Sequence, residues 1–297
     1  MNRFLGHIGA LFVMIVWGAT FVNSKVLLTN GLLPDEIFLL RSLQAYIILA
    51  IIYHKKWLAN TWKDELIFLG LGVFGGSLYF LSENSALEYG TTSNVSILVG
   101  STPLLTALLI GSIYKSERLS AFQCAGSVIA FIGMTLVVLN GQLFLKLNPL
   151  GDALALAASA TWAVYSLLMR FVSGKYNVIF ITRKVFFYGL ITILPVLIIT
   201  HNEMPRLEIL TEPIIYCNLL FLGVLASSIC YLLWNKVLHV IGTIRATNYI
   251  YLQSIVTMVT AKIVLDEKIT WMAILGVVVL ISGLVMVQKK KKTGGYV

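Results

Sequence analysis

Glu83 follows Tyr79 by four residues inside the apolar run from Leu66 to Leu87. Four residues is one helical turn, so both side chains share a face. An ionisable group in lipid is costly unless it faces a cavity or a partner. Glu83 is therefore a candidate proton carrier or substrate-binding group, and the alternative is a structural role or an ion pair with Arg41. Arg41 lies in a second apolar run, and Phe38-x-x-Arg41 matches Phe180-x-x-Arg183. Two readings stay open for these arginines. They bond carboxylates or backbone carbonyls, or snorkel to the interface, or one of them meets an anionic solute group.

Aromatic and amide side chains form a second set. Trp17 and Trp162 sit near the middle of apolar runs, whereas tryptophan favours membrane interfaces. With Tyr231 and Trp234 they could wall a solute site by stacking or cation–π contact, or simply pack between helices, and Trp234 could serve as an interface anchor. Asn94, next to Ser93 and Ser96, and Asn248, with Tyr249, Tyr251 and Gln253, are polar groups inside runs. They either bond neighbouring helices or line a solute path. The substrate-binding set read from the sequence is Trp17, Tyr79, Glu83, Asn94, Trp162, Tyr231, Asn248 and Tyr251. Glu83 and Arg41 form the candidate proton or ion-pair site.

Chemistry of the enzymatic kind is not expected. Catalysis at a membrane surface needs paired acids, a His–Asp arrangement or metal ligands. The four histidines are scattered, with His201 placed in an outer loop and His239 in a short inner loop. Cys124, Cys217 and Cys230 lie in apolar runs without ligand spacing, which argues against a disulfide framework or metal site. No catalytic residue, metal or cofactor is expected.

These residues must be positioned by helices in lipid. Hydrophobic residues are 58% of the 297 and charged residues 12%, against about 25% charged in soluble domains. Ten segments approach the roughly 20 residues needed to span a bilayer. They are Leu5–Lys25, Pro34–Tyr53, Leu66–Leu87, Ser93–Tyr114, Leu119–Val138, Leu150–Val172, Tyr176–Ile199, Ile214–Trp234, Thr243–Val264 and Ile269–Val287. The first run is too long for a signal-peptide core of about 7–15 residues, so it reads as a retained span. The fold class is thus all-α and polytopic.

The net charge of +9 suits lipid headgroups better than nucleic acid, because the bases flank apolar runs. With both termini cytoplasmic, that side holds fourteen Lys and Arg. They are Arg3, Lys55, Lys56, Lys63, Lys115, Arg118, Arg170, Lys175, Lys236, Arg245 and Lys289 to Lys292. The other side holds four, namely Lys25, Lys146, Arg206 and Lys268. Basic residues concentrate inside, so both termini are expected there, in a cell inner (plasma) membrane.

The chain also repeats itself. Tyr79 and Gly90 match Tyr231 and Gly242 at an offset of 152. Glu117-Arg118-Leu119-Ser120, Gly126 and Gly133 match Glu267-Lys268-Ile269-Thr270, Gly276 and Gly283 at 150. Gly6 and Trp17 match Gly151 and Trp162 at 145. Five helices per copy make the second copy enter from the opposite side, giving a 5+5 inverted repeat with a solute site between the halves. The expected units are residues 1–140, a loop at 141–149, a second repeat at 150–288 and a basic tail at 289–297. The glycines spaced by seven read as close-packing sites. Glu117 and Glu267 read as helix-start acids, and Asp152 as an N-cap.

With Trp17-Gly18-Ala19, Phe38-x-x-Arg41, Pro103, Glu117-Arg118-Leu119-Ser120 and Gly151-Asp152-x-Leu154-Ala155-Leu156 in place, the sequence resembles the drug/metabolite transporter superfamily, in its EamA branch. The resemblance implies ten helices, a central cavity lined by the first, third, fourth, sixth, eighth and ninth, and export or exchange of metabolites. Two departures stand out. Ile255 takes the place of a second-copy proline, which predicts a different bend. The first helix carries no acid, so the proton exchange of the small four-helix relatives does not transfer.

The function expected from the sequence is alternating-access transport of a small polar or amphipathic solute, such as an amino acid. The partners are that solute and the bilayer, with no nucleic acid, and the oligomeric state, monomer included, stays open. An organic-phosphate or nucleotide-sugar exchanger is the alternative, but it would draw on only Lys262, Arg41 and Lys184 for cavity bases. A membrane-embedded enzyme or a sensor is the alternative of a different class.

Overall fold

The computed structural model describes residues 2–90, 92–115, 118–139, 148–200, 207–265 and 269–288. Glu117, Glu267, His201, Lys146, Arg206, Lys268 and the tail Lys289 to Lys292 lie outside the described residues.

Among the described residues the protein is all-helical, without strands. Among the described residues, eight helices are long and apolar enough to cross a membrane. They are α1 (Arg3–Thr29), α3 (Trp62–Tyr89), α4 (Asn94–Ile113), α5 (Ala121–Leu139), α6 (Pro149–Val172), α7 (Val178–Ile199), α8 (Pro213–Ile241) and α10 (Trp271–Gln288). Two further tracts fall short of that measure for physical reasons. The first, α2 (Pro34–Ile52), carries Asp35, Glu36 and Arg41 in 19 residues. The second, α9, joins Thr243–Thr247, a 3-10 turn at Asn248–Leu252 and Gln253–Leu265.

Local chemistry sets the helix starts. Asn2 and Thr61 cap α1 and α3 by accepting from Leu5 N and Asp64 N, and Pro34, Pro149 and Pro213 occupy first turns, where no backbone N–H is needed. The cap of α6 is Asn148, whose side chain accepts from Gly151 N at 3.1 Å. Asp152, expected to cap, stands instead inside the first turn, where its charge complements the helix dipole. The α8 helix runs to Ile241, so His239 belongs to its last turn rather than to a loop. Gly242 then turns the chain at φ 87°, a conformation open to glycine.

The outer surface is apolar, with Ile51, Leu108, Ile198 and Val278 all exposed. A soluble monomer rarely exposes so continuous an apolar surface. Trp62 and Trp271 are exposed at helix starts, the place of interface anchors. The chain is a multi-pass membrane protein.

Helices α5 and α10 pack backbone to backbone. A Cβ on Gly133 would lie 2.2 Å from Leu280 N, and one on Gly283 2.4 Å from Ala130 N. The glycine spacing therefore has the packing meaning read from the sequence. Helix α4 breaks at Gly100-Ser101, just before Pro103. Where the sequence aligns Ile255 with Pro103, α9 has no break at that position and carries a 3-10 turn just upstream. Two helices, α3 and α8, contain π-helical stretches at Val73–Ser77 and Phe221–Ile229. Such insertions leave carbonyls outside the regular ladder and recur at functional sites.

Candidate functional site

The middle of the bundle is an aromatic cluster built from five helices. Trp17 of α1 lies 5.4 Å from Trp162 of α6, 5.6 Å from Tyr231 and 5.4 Å from Trp234 of α8. Tyr79 of α3 lies 4.6 Å from Trp162, and Phe186 of α7 lies 5.1 Å from Tyr231. Trp234, considered as an interface anchor, is fully buried. Centroid distances in this range let ring edges meet ring faces favourably.

This cluster walls a cavity of about 20 Å³ lined by Trp17, Thr20, Arg41, Tyr79, Glu83, Trp162, Tyr231 and Gln253, with Phe21 and Phe80. That is room for about one water. An acidic and a basic side chain face it, and neutral groups hold each one. Tyr79 donates its hydroxyl to Glu83 Oε1 at 2.8 Å. Arg41 Nε donates to Ser227 Oγ at 2.9 Å, and its guanidinium lies 4.2 Å over the Phe80 ring. Among the described residues Glu83 and Arg41 form no direct ion pair. Both are buried, at 7% and 2% exposure.

Six of the sequence-derived candidates thus meet at one place: Trp17, Arg41, Tyr79, Glu83, Trp162 and Tyr231. Three do not line this cavity. Asn248 accepts from Ser127 of α5 at 3.1 Å and donates to Ile244 O. Tyr251 is buried beside Phe131, Met134 and Leu280. Asn94 is buried on α4. Sequence reading passed over Ser227, Thr20 and Phe80, since nothing in a lone serine or phenylalanine marks which helix it will face.

A second polar cluster lies at the start of α3. Lys184 donates to both oxygens of Glu65, at 2.8 and 3.0 Å, and Tyr188 donates to Glu65 Oε2 at 2.6 Å. Beside it, Lys175 donates to both oxygens of Asp64 at 2.7 Å, and Tyr176 donates at 2.6 Å. Burial, then the Asp64 carboxylate, pushes the Tyr176 phenol up from its ordinary value. Arg183 donates to the carbonyls of Tyr53 and Lys56 and lies 4.5 Å over the Trp57 ring. Arg183 and Lys184 are therefore committed to this end of the bundle and are not cavity bases. Asp64 and Glu65 carried no signal of this in sequence, because adjacent acids at a helix start read as dipole partners.

The EamA-like transporter family model matches residues 4–139 and 149–288. The chain belongs to the EamA-like transporter family. Relatives agree with that membership. An uncharacterized transporter of Archaeoglobus fulgidus is 27% identical, over 96% of this chain and 98% of its own length. A probable amino-acid metabolite efflux pump of Escherichia coli is 26% identical, over 93% of this chain and 92% of its own. A solved crystal structure superposes with a TM-score of 0.73 at 16% identity, covering 95% of this chain and 96% of that one, which is a likeness of fold. This EamA-like chain is a membrane transporter.

Proposed function

We propose that the chain exports or exchanges small zwitterionic or amphipathic solutes, amino acids and their derivatives first, by alternating access. The observation that carries this reading is the cavity in which Glu83 and Arg41 face one space without pairing. Opposite charges normally pair when buried, because an unpaired charge is costly. Held apart by Tyr79 and by Ser227 with Phe80, they suit a solute that brings its own ammonium and carboxylate. Trp17, Trp162 and Tyr231 would contact its apolar part. Asn94, Asn248 and Tyr251 would join the path only when the helices move.

The architecture proposed is ten spans in two inverted repeats, residues 1–140 and 150–288, joined by 141–149. The offsets of 152 and 150 and a family match in two stretches, 4–139 and 149–288, support it. So do the π-helical stretches in α3 and α8. The excess of Lys and Arg supports termini and tail in the cytoplasm, which would set the α3-start cluster on that side of an inner membrane. The name of the Escherichia coli relative points the same way on substrate class and direction. A cavity of about 20 Å³ admits no amino acid, so the helices must part for solute to enter, as alternating access requires.

Flux in proteoliposomes holding this protein alone tests the reading, with a labelled amino-acid panel and an imposed pH gradient. Saturable flux that Glu83→Gln removes is the expected result. Wild-type flux and pH dependence in Glu83→Gln would take Glu83 out of the mechanism. No flux of any amino acid by folded protein would overturn the substrate class.

A further inference from the structure

The two π-helical stretches are latched differently, and the difference has the form of a switch. In α8, Trp17 Nε1 donates to the carbonyl of Ala226 at 3.1 Å. In α3, the Tyr231 hydroxyl donates to the carbonyl of Gly75. Each stretch is thus held by a side chain of the opposite repeat. At the offset of 152, Ala226 and Ser227 fall on Phe74 and Gly75, so the two carbonyls occupy neighbouring positions of the repeat.

The symmetry-related donors are engaged otherwise. Trp162, the counterpart of Trp17, is 4% exposed, and its Nε1 has no hydrogen-bond partner among the described residues. Its ring lies 5.6 Å from Tyr231, the side chain that occupies the α3 carbonyl. Tyr79, the counterpart of Tyr231, donates to Glu83 instead of to α8. Four donors therefore serve two stretches. Trp17 and Tyr231 are in place, Trp162 is idle, and Tyr79 is lent to the carboxylate.

We propose that Trp17 and Tyr231 are positioning residues that hold one of two states, and that in the other state Trp162 takes the α3 carbonyl and Tyr79 the α8 carbonyl. In an inverted-repeat transporter each half passes through the arrangement its counterpart holds in the opposite state. A buried N–H left unmade is costly, so the idle Trp162 has a driving force to find its carbonyl once Tyr231 leaves. The exchange withdraws the Tyr79 hydroxyl from Glu83, so the environment of the carboxylate changes with the state. The inference rests on the alternating-access reading and adds to it the groups that latch each state.

Double electron–electron resonance on the full chain in phosphatidylglycerol–phosphatidylcholine nanodiscs tests this. Spin labels go on Lys55→Cys and Lys236→Cys, both exposed and on different repeats, with Cys124, Cys217 and Cys230 replaced. Trp17→Phe and Tyr231→Phe each remove a bond of the present state only. Each is expected to shift the ratio of the two distance populations about fivefold in one direction, the factor for one buried hydrogen bond. Trp162→Phe removes a bond of the other state only and shifts the ratio the opposite way. The Trp17→Phe/Trp162→Phe double variant returns it toward the starting ratio. Tyr231→Phe keeps its ring, so the test survives if Trp17→Phe does not fold. Shifts of one sign in all three single variants, or no shift in Trp162→Phe, overturn the exchange while leaving alternating access intact. A single distance that no variant moves sinks alternating access itself, and this inference with it.

Discussion

The central cavity and the α3-start cluster are made of the same parts, a carboxylate, a tyrosine hydroxyl and a basic side chain, arranged in opposite ways. At the α3 start, Lys184 touches both oxygens of Glu65, and Tyr188 completes the set. In the cavity, Tyr79 bonds Glu83, but the basic group, Arg41, bonds Ser227 instead. Direct pairing cancels charge and fixes geometry, which is what a structural joint between α3 and α7 needs. Separation leaves an acid and a base facing one space, each held by its own neutral partner. The lesson is that a buried acid within a membrane bundle is not by itself a site. What its cation is doing decides the matter.

Substitutions sharpen that comparison. The largest effect is expected for Glu83→Gln, which should bring solute flux down to that of protein-free liposomes while leaving thermal unfolding nearly unchanged. Unfolding as early as that of a Glu65 variant would make the cavity structural after all. Next is Glu65→Gln, which leaves Lys184 buried without its charge partner and should cost about 3 kcal/mol of stability. The Glu65→Leu/Lys184→Met double variant should recover most of that in the same unfolding assay, since apolar replacements of a buried pair are often tolerated. Arg41→Lys keeps the charge but loses the planar group that bonds Ser227 and covers Phe80. A severalfold fall in flux with little change in unfolding is expected, and an unchanged flux would show that only charge matters there. The smallest effect belongs to Tyr188→Phe, which removes one hydrogen bond at the α3 start, about 1 kcal/mol. Its flux should stay at the wild-type level, while Tyr79→Phe, the same change in the cavity, should lower flux.

Much of this was legible before any coordinates. Six cavity residues were reached from their types and places in apolar runs, because an ionisable or aromatic group mid-membrane already demands an explanation. The meaning of Gly126, Gly133, Gly276 and Gly283 was legible for a similar reason, since a seven-residue spacing puts small residues on one helix face. Other features were not. The separate partners of Glu83 and Arg41, the cap at Asn148 rather than Asp152, and the reach of α8 past His239 all depend on a neighbour's position or on where one helix stops.

Composition and the length of the apolar runs alone determined that the chain is a helical membrane protein, because backbone groups in lipid must bond within their own segment. The repeat offsets paired Trp17 with Trp162 and Tyr79 with Tyr231 as counterparts from the sequence alone. Only the tertiary structure decided that Asp64 and Glu65 belong with Lys175 and Lys184, more than a hundred residues away. It alone set Arg41 on Ser227 and Trp17 on Ala226. Local sequence fixes which groups are available and which face of a helix they share. Which donor meets which acceptor is set by how helices distant in sequence pack, and a single chain read alone carries no record of that.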